Sequence, residues 1–83
     1  MNKNSNRLWY FEAHFADGSK CYVGRNGTIV ERDQVLEGAF AGVEREAHGE
    51  AERRCVAYEA LYAPSPIAMS FSTASTLFGD SNT

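Results

Sequence analysis

With 83 residues and 43% hydrophobic content, the chain makes one small domain around one core, outside the composition of a disordered segment. Eight Lys+Arg against 11 Asp+Glu give a net charge of −3, which removes the electrostatic drive behind most non-specific nucleic-acid affinity. No apolar run approaches the ~20 residues of a membrane span, so no membrane partner is expected.

Residues 1–6 are a polar tail, unlike a secretory leader, and residues 79–83 are a second tail. A single α+β domain is expected over residues 7–78. Cys21 and Cys55 lie 34 positions apart. Without a leader, a reducing cytoplasm is the expected setting. Two free thiols packed as small hydrophobes are then expected over a bridge.

The segment from Arg7 to Phe15 is rich in aromatic residues with a period near two, which reads as a strand. Ser19 to Arg25 and Thr28 to Arg32 read as two more, separated by turn signals at Ala16-Asp17-Gly18 and Asn26-Gly27. The result is a three-stranded antiparallel meander. A three-residue first loop sets Phe15 against Ser19, Ala13 against Cys21 and Phe11 against Val23. That register groups the apolar residues, whereas a one-residue slip would scatter them. A two-residue turn at Asn26-Gly27 would then pair Val23 with Val30 and Tyr22 with Glu31. One face carries Trp9, Phe11, Ala13, Phe15, Cys21, Val23 and Val30. The other carries Leu8, Tyr10, Glu12, His14, Lys20, Tyr22 and Ile29.

From Leu36 the apolar positions run Leu36, Phe40, Val43, Ala47, Ala51, Cys55, Tyr58 and Tyr62, one face of an α-helix. Asp33 is the expected N-cap, and Pro64 and Pro66 stop the helix by Ala63. Three glycines within the span each weaken it by ~1 kcal/mol relative to Ala. The expectation is a short helix over 33–41, a break at Gly42, and the main helix over 43–62, packed on the sheet. Ala47 and Ala51 give the helix a small centre that suits the bulky face of Trp9, Phe11 and Phe15. Beyond the prolines, residues 67–78 alternate again: Ile67, Met69, Phe71 and Leu77 share one parity, and Ala68, Ser70, Ser72 and Thr76 the other. This C-terminal strand either joins an edge of the sheet or pairs with a second copy, and the overall order is βββαβ.

Few residues offer chemistry. Glu44, His48 and Glu52 stack at i, i+4, i+8 and have the donor types of a divalent-metal site, but they also lie on the charged side of the helix. They are read as a solvated face, with no metal or cofactor expected. Glu12 and His14 share a strand face and could form an acid–base pair, yet such neighbours on a wet face are ordinary. Cys21 falls on the core face, away from any base that would activate it. Gly24-Arg25-Asn26-Gly27 is explained as a turn. No catalytic residue is expected, and the protein is not read as an enzyme.

The outer sheet face is different, because Leu8, Tyr10, Tyr22 and Ile29 would make an apolar patch where a wet antiparallel face usually reads polar. Either a protein partner or a second protomer sits on it, or the chain covers it itself. The acidic helix residues Glu44, Glu46 and Glu50 are the secondary contact candidates. In size and in its lack of an enzymatic motif the chain resembles the small accessory proteins of bacteriophages and mobile elements, including anti-CRISPR inhibitors. That resemblance matches no motif and assigns no residue. It implies a binding module that occludes a bacterial host defence complex in the host cytoplasm. In outline, the sheet followed by a helix is also similar to the AP2 and integrase-type DNA-binding domains, which place the sheet in the major groove. Here that face offers Lys20 and Arg25, but also Glu12 and Glu31.

Overall fold

Strand β1 (Arg7–His14) is the axis of the sheet, because every other strand pairing among the described residues is made to it or to its neighbour. The computed structural model describes residues 7–77. In it, Trp9 is paired on both sides, with Phe40 and with Thr73, and Phe11 likewise with Val23 and Phe71. Strand β5 (Ala68–Thr73) therefore occupies one edge of β1. Strands β2 (Lys20–Val23) and β4 (Phe40–Gly42) share the other edge in succession, and β3 (Ile29–Val30) lies beyond β2. All the pairings are antiparallel. The C-terminal strand thus joins the sheet within the chain. It ends at Thr73, and Ala74–Leu77 turn into a short helix, α2.

The first hairpin has the expected register, with Phe11 opposite Val23 and Ala13 opposite Cys21. Its loop is Ala16-Asp17-Gly18, closed by Phe15 N–H to the Ser19 carbonyl at 2.9 Å and Gly18 N–H to the Phe15 carbonyl at 2.9 Å. Asp17 tightens the turn by accepting from the Ser19 amide and hydroxyl, which lowers its carboxyl pKa.

The second hairpin departs from expectation. Gly24 N–H reaches the Thr28 carbonyl at 2.7 Å and Gly27 N–H the Gly24 carbonyl at 3.0 Å, so the loop is three residues, Arg25-Asn26-Gly27, built like the first. Gly18 at φ 90° and Gly27 at φ 82° hold the left-handed positions. The longer loop shifts the pairing to Tyr22↔Val30 and Val23↔Ile29. Val30 therefore moves to the outer face and Ile29 to the face of Val23, the reverse of the sequence expectation.

The segment after β3 also differs. A 3-10 helix spans Arg32–Gly38, with Glu31 rather than Asp33 as N-cap, and the chain then extends as β4 instead of remaining helical to residue 41. Phe40 sits at helical spacing from Val43, but it pairs with Trp9 as a strand residue. The Trp9 indole Nε1 donates to the Gly42 carbonyl at 2.8 Å, which ties β4 to the core. The order is accordingly four strands, the main helix, then a fifth strand, not βββαβ.

The main helix, α1 (Glu44–Leu61), lies close to its expected bounds. Glu46 reaches back to accept from the Val43 N–H at 3.1 Å, and Glu44 and Glu46 place negative charge in the first turn. The helix buries Ala47, Ala51, Arg54 and Tyr58 against Trp9, Phe11, Ala13 and Val23. Rings close the packing, with Trp9–Phe71 centroids at 5.6 Å, Phe15–Tyr58 at 5.8 Å and Tyr58–Tyr62 at 4.7 Å. No helix among the described residues is long and apolar enough to cross a membrane.

Candidate functional site

The outer sheet face is covered from within the chain. Tyr10 retains 8% of its surface, packed beneath Val35 of the 3-10 helix and Leu77 of α2, with Tyr22 and Val30 beside it. Tyr10 and Tyr22 meet edge to face at 5.9 Å. Alternation explains the arrangement, since Tyr10 and Tyr22 share a parity and the corrected register adds Val30 to them. These residues form a second small core. Leu8 and Ile29 stay about half exposed, but Ile29 belongs to the opposite face and its amide meets the Tyr62 hydroxyl at 3.3 Å. The four residues expected to form one patch are thus divided among a core, a sheet end and the helix side.

Polar residues occupy the other end of that face. His14 Nε2 lies 2.9 Å from the Ser70 hydroxyl and 3.8 Å from Glu12, and Lys20 lies 3.9 Å from the same carboxylate. Serine, histidine and carboxylate invite comparison with a nucleophilic triad. In a triad the acid holds one ring nitrogen while the other takes the hydroxyl proton. Here both contacts fall on Nε2, so the carboxylate does not orient the ring for proton transfer.

The two flanks of α1 have opposite characters. On the β2–β3 side, Glu50 accepts from Arg53 at 2.6 and 3.0 Å and from Arg54 Nε at 2.7 Å. Arg53 also donates to the Arg25 carbonyl and Arg54 to that of Val23, which fastens the helix to the second hairpin. Arg54 is 2% exposed, with its guanidinium 4.3 Å from the centre of the Phe11 ring. Hydrogen bonds from Arg53, then Arg54, hold the Glu50 carboxyl below its ordinary pKa. Burial lowers that of Arg54, and Glu50 counteracts the shift. Glu50 is therefore a structural partner of two arginines instead of an open contact residue.

On the other side, α1 runs alongside β5. Glu44, His48, Glu52, Cys55 and Glu59 follow one another at helical spacing on this flank, all exposed except the half-buried Cys55. The His48 ring stands edge-on to Phe71 at 6.0 Å, and its Nδ1 is 3.9 Å from Glu52. Glu44 does not join them as a ligand set; among the described residues no three His, Cys, Asp or Glu side chains cluster as a metal site would need. Instead, His48, Ala51, Glu52, Cys55, Met69 and Phe71 line an open groove of about 180 Å³ between helix and strand. Cys21 and Cys55 are both free, and burial pushes both thiols above their ordinary pKa.

Beside this groove lies the outer edge of β5. Phe15 exchanges its backbone bond with Ser19 on the β2 side, so the odd residues of β1 point that way and its even residues point to β5. Ser70 and Ser72, opposite Glu12 and Tyr10, therefore spend their backbone groups on β1. Those of Met69 and Phe71 face outward, and no described strand pairs with them. β5 has no charge and no proline between Ala68 and Thr73, the features that ordinarily protect an edge. The sequence placed the C-terminal strand at a sheet edge or against a second copy, but did not single out its outer edge as a contact surface; the only signal for that was the uncharged run itself.

No protein-family profile, curated protein or solved structure matches the chain.

Proposed function

We propose that the protein is a non-enzymatic binding module that takes up an extended segment of a partner protein along β5. The observation that carries this is the coincidence of an unpaired, uncharged strand edge with an apolar-floored groove against α1. A strand added to β5 gains main-chain hydrogen bonds from Met69 and Phe71, and its alternate side chains enter the groove over Ala51 and Met69. In its narrower form, the proposal has the module occlude part of a bacterial host complex, as the resemblance to phage accessory proteins implies.

The test is a titration of isotope-labelled protein with a synthetic strand peptide alternating valine and threonine, with a lysine at each end. Shift changes should concentrate at residues 48–55 and 68–73, with amide exchange slowing at Met69 and Phe71. The amides of Ser70 and Ser72, already bonded to β1, should be protected throughout. Absence of both changes at millimolar peptide would refute the proposal. So would a peptide-free dimer in which Met69 and Phe71 are already protected, because the edge would then belong to a second copy.

A further inference from the structure

Resting on the strand-addition reading, the helix flank identifies the chemistry of the incoming segment. We infer that it is a basic strand, carrying Lys or Arg at two positions four residues apart with an apolar residue midway between them. Glu52 lines the groove together with His48 and Cys55, and Glu44 and Glu59 extend the same flank of α1 beyond its two ends at exposed positions of matching helical spacing. The neighbouring cations are Arg45, next to Glu44 in the first turn, and Arg7, which lies by Thr73 at that same end of β5, so the negative excess is carried by Glu52 and Glu59 toward the other end of the flank. Arg53 and Arg54 do not offset it, since both are turned to Glu50 on the opposite flank.

The spacing sets the pattern. Helix rise places Glu52 about 12 Å along the axis from Glu44 and about 10 Å from Glu59. In a strand, residues four apart on the same face are separated by about 13 Å, and the residue midway between them projects in the same direction. Two basic side chains can therefore meet successive glutamates while the residue between them enters the groove over Ala51, Met69 and Phe71. The same charge disfavours a second copy as the occupant. A twofold β5-to-β5 pairing would bring two acidic helix flanks toward one another, in a chain that already carries a net charge of −3.

The test compares three peptides of identical valine–threonine core, with lysine, serine or glutamate at the two flanking positions, titrated against wild type and a Glu44→Gln, Glu52→Gln, Glu59→Gln triple variant. The lysine peptide should bind wild type about tenfold more tightly than the glutamate peptide at low salt. That advantage should shrink to about twofold at roughly 0.5 M salt, where screening acts within about 4 Å. The triple variant should lose the discrimination while binding the serine peptide as wild type does. Cys55 supplies an independent readout, since occupancy of the groove should slow its alkylation. If all three peptides bind wild type equally, the charge assignment is wrong and strand addition stands. If none binds, strand addition itself fails. If the chain instead dimerises through β5, the occupant is a second copy and the inference is overturned.

Discussion

The two hairpin glycines make a controlled pair. Gly18 and Gly27 occupy the same left-handed position in two loops of the same construction. Their surroundings differ: a Cβ at Gly18 would meet nothing within 4 Å, whereas one at Gly27 would lie 2.6 Å from the Ala57 Cβ and 2.7 Å from the Tyr58 amide nitrogen. Gly18→Ala should therefore cost only the left-handed backbone penalty, about 1–2 kcal/mol. Gly27→Ala carries the same penalty and must also push the hairpin off the helix, and overpacking of this kind adds about 1–3 kcal/mol. A domain of this size loses about 4–8 °C in Tm per kcal/mol. Thermal unfolding followed by circular dichroism should thus place Gly27→Ala clearly below Gly18→Ala, and both below wild type. Equal losses would show that the second hairpin does not rest on α1 at Ala57 and Tyr58.

Phe11→Ala removes a side chain that is 1% exposed and should cost about 3–5 kcal/mol, a large part of the ~4–12 kcal/mol expected for a chain of this length. A wild-type urea midpoint would place the core elsewhere. Arg54→Ala loses both the ion pair to Glu50 and the packing over Phe11 and should cost about 3–5 kcal/mol, whereas Arg54→Met loses the pair but keeps most of the volume over Phe11 and should cost measurably less; equal urea midpoints would remove packing from the account. Glu50 has its folded pKa below the unfolded value, so its contribution is present above about pH 4.3 and is lost as the pH falls through the folded pKa. Urea midpoints at neutral and acid pH should therefore converge in Glu50→Gln relative to wild type, and an unchanged gap would refute this. With both thiols raised by burial, native protein at neutral pH should alkylate more slowly than urea-unfolded protein, as followed by mass spectrometry; equal rates would contradict the packing.

The sequence made some of this legible and concealed the rest for physical reasons. The first hairpin could be aligned because only one register keeps Phe11, Ala13, Cys21 and Val23 together. The second could not, because Ile29 and Val30 are both apolar, so hydrophobicity did not distinguish a two-residue from a three-residue loop. Phe40 misled because its distance from Leu36 and Val43 suits a helix, while the bond from Trp9 to Gly42 that holds β4 extended spans 33 residues. Arg54 was overlooked because it is charged, yet the sequence of Ala47, Ala51, Arg54 and Tyr58 has spacings of 4, 3 and 4, and Glu50 four residues before it supplies the counter-charge. The outer face was correctly read as apolar, but its cover, Val35 and Leu77, lies in segments whose local pattern gives no hint of where they fold back. Glu44 was picked out as an acidic surface residue; that it shares a helix flank with the groove residues His48 and Glu52 gains meaning only once β5 is paired with β1.

The double pairing of β1 also sets the order in which the fold can be completed. One edge of β1 can close early, with a hairpin partner a few residues away, but the other waits for Ala68–Thr73, 54 to 64 residues further along. At a synthesis rate of about 5–20 residues per second, that interval lasts roughly 3–13 s. Meanwhile the aromatic strand Arg7–His14 is on the nascent chain with its C-terminal partner not yet made. Contacts of such long sequence separation fold slowly. The Trp9–Phe71 and Phe11–Phe71 neighbours are therefore among the last formed, and this is the stage at which the chain is most exposed to mispairing during its own synthesis.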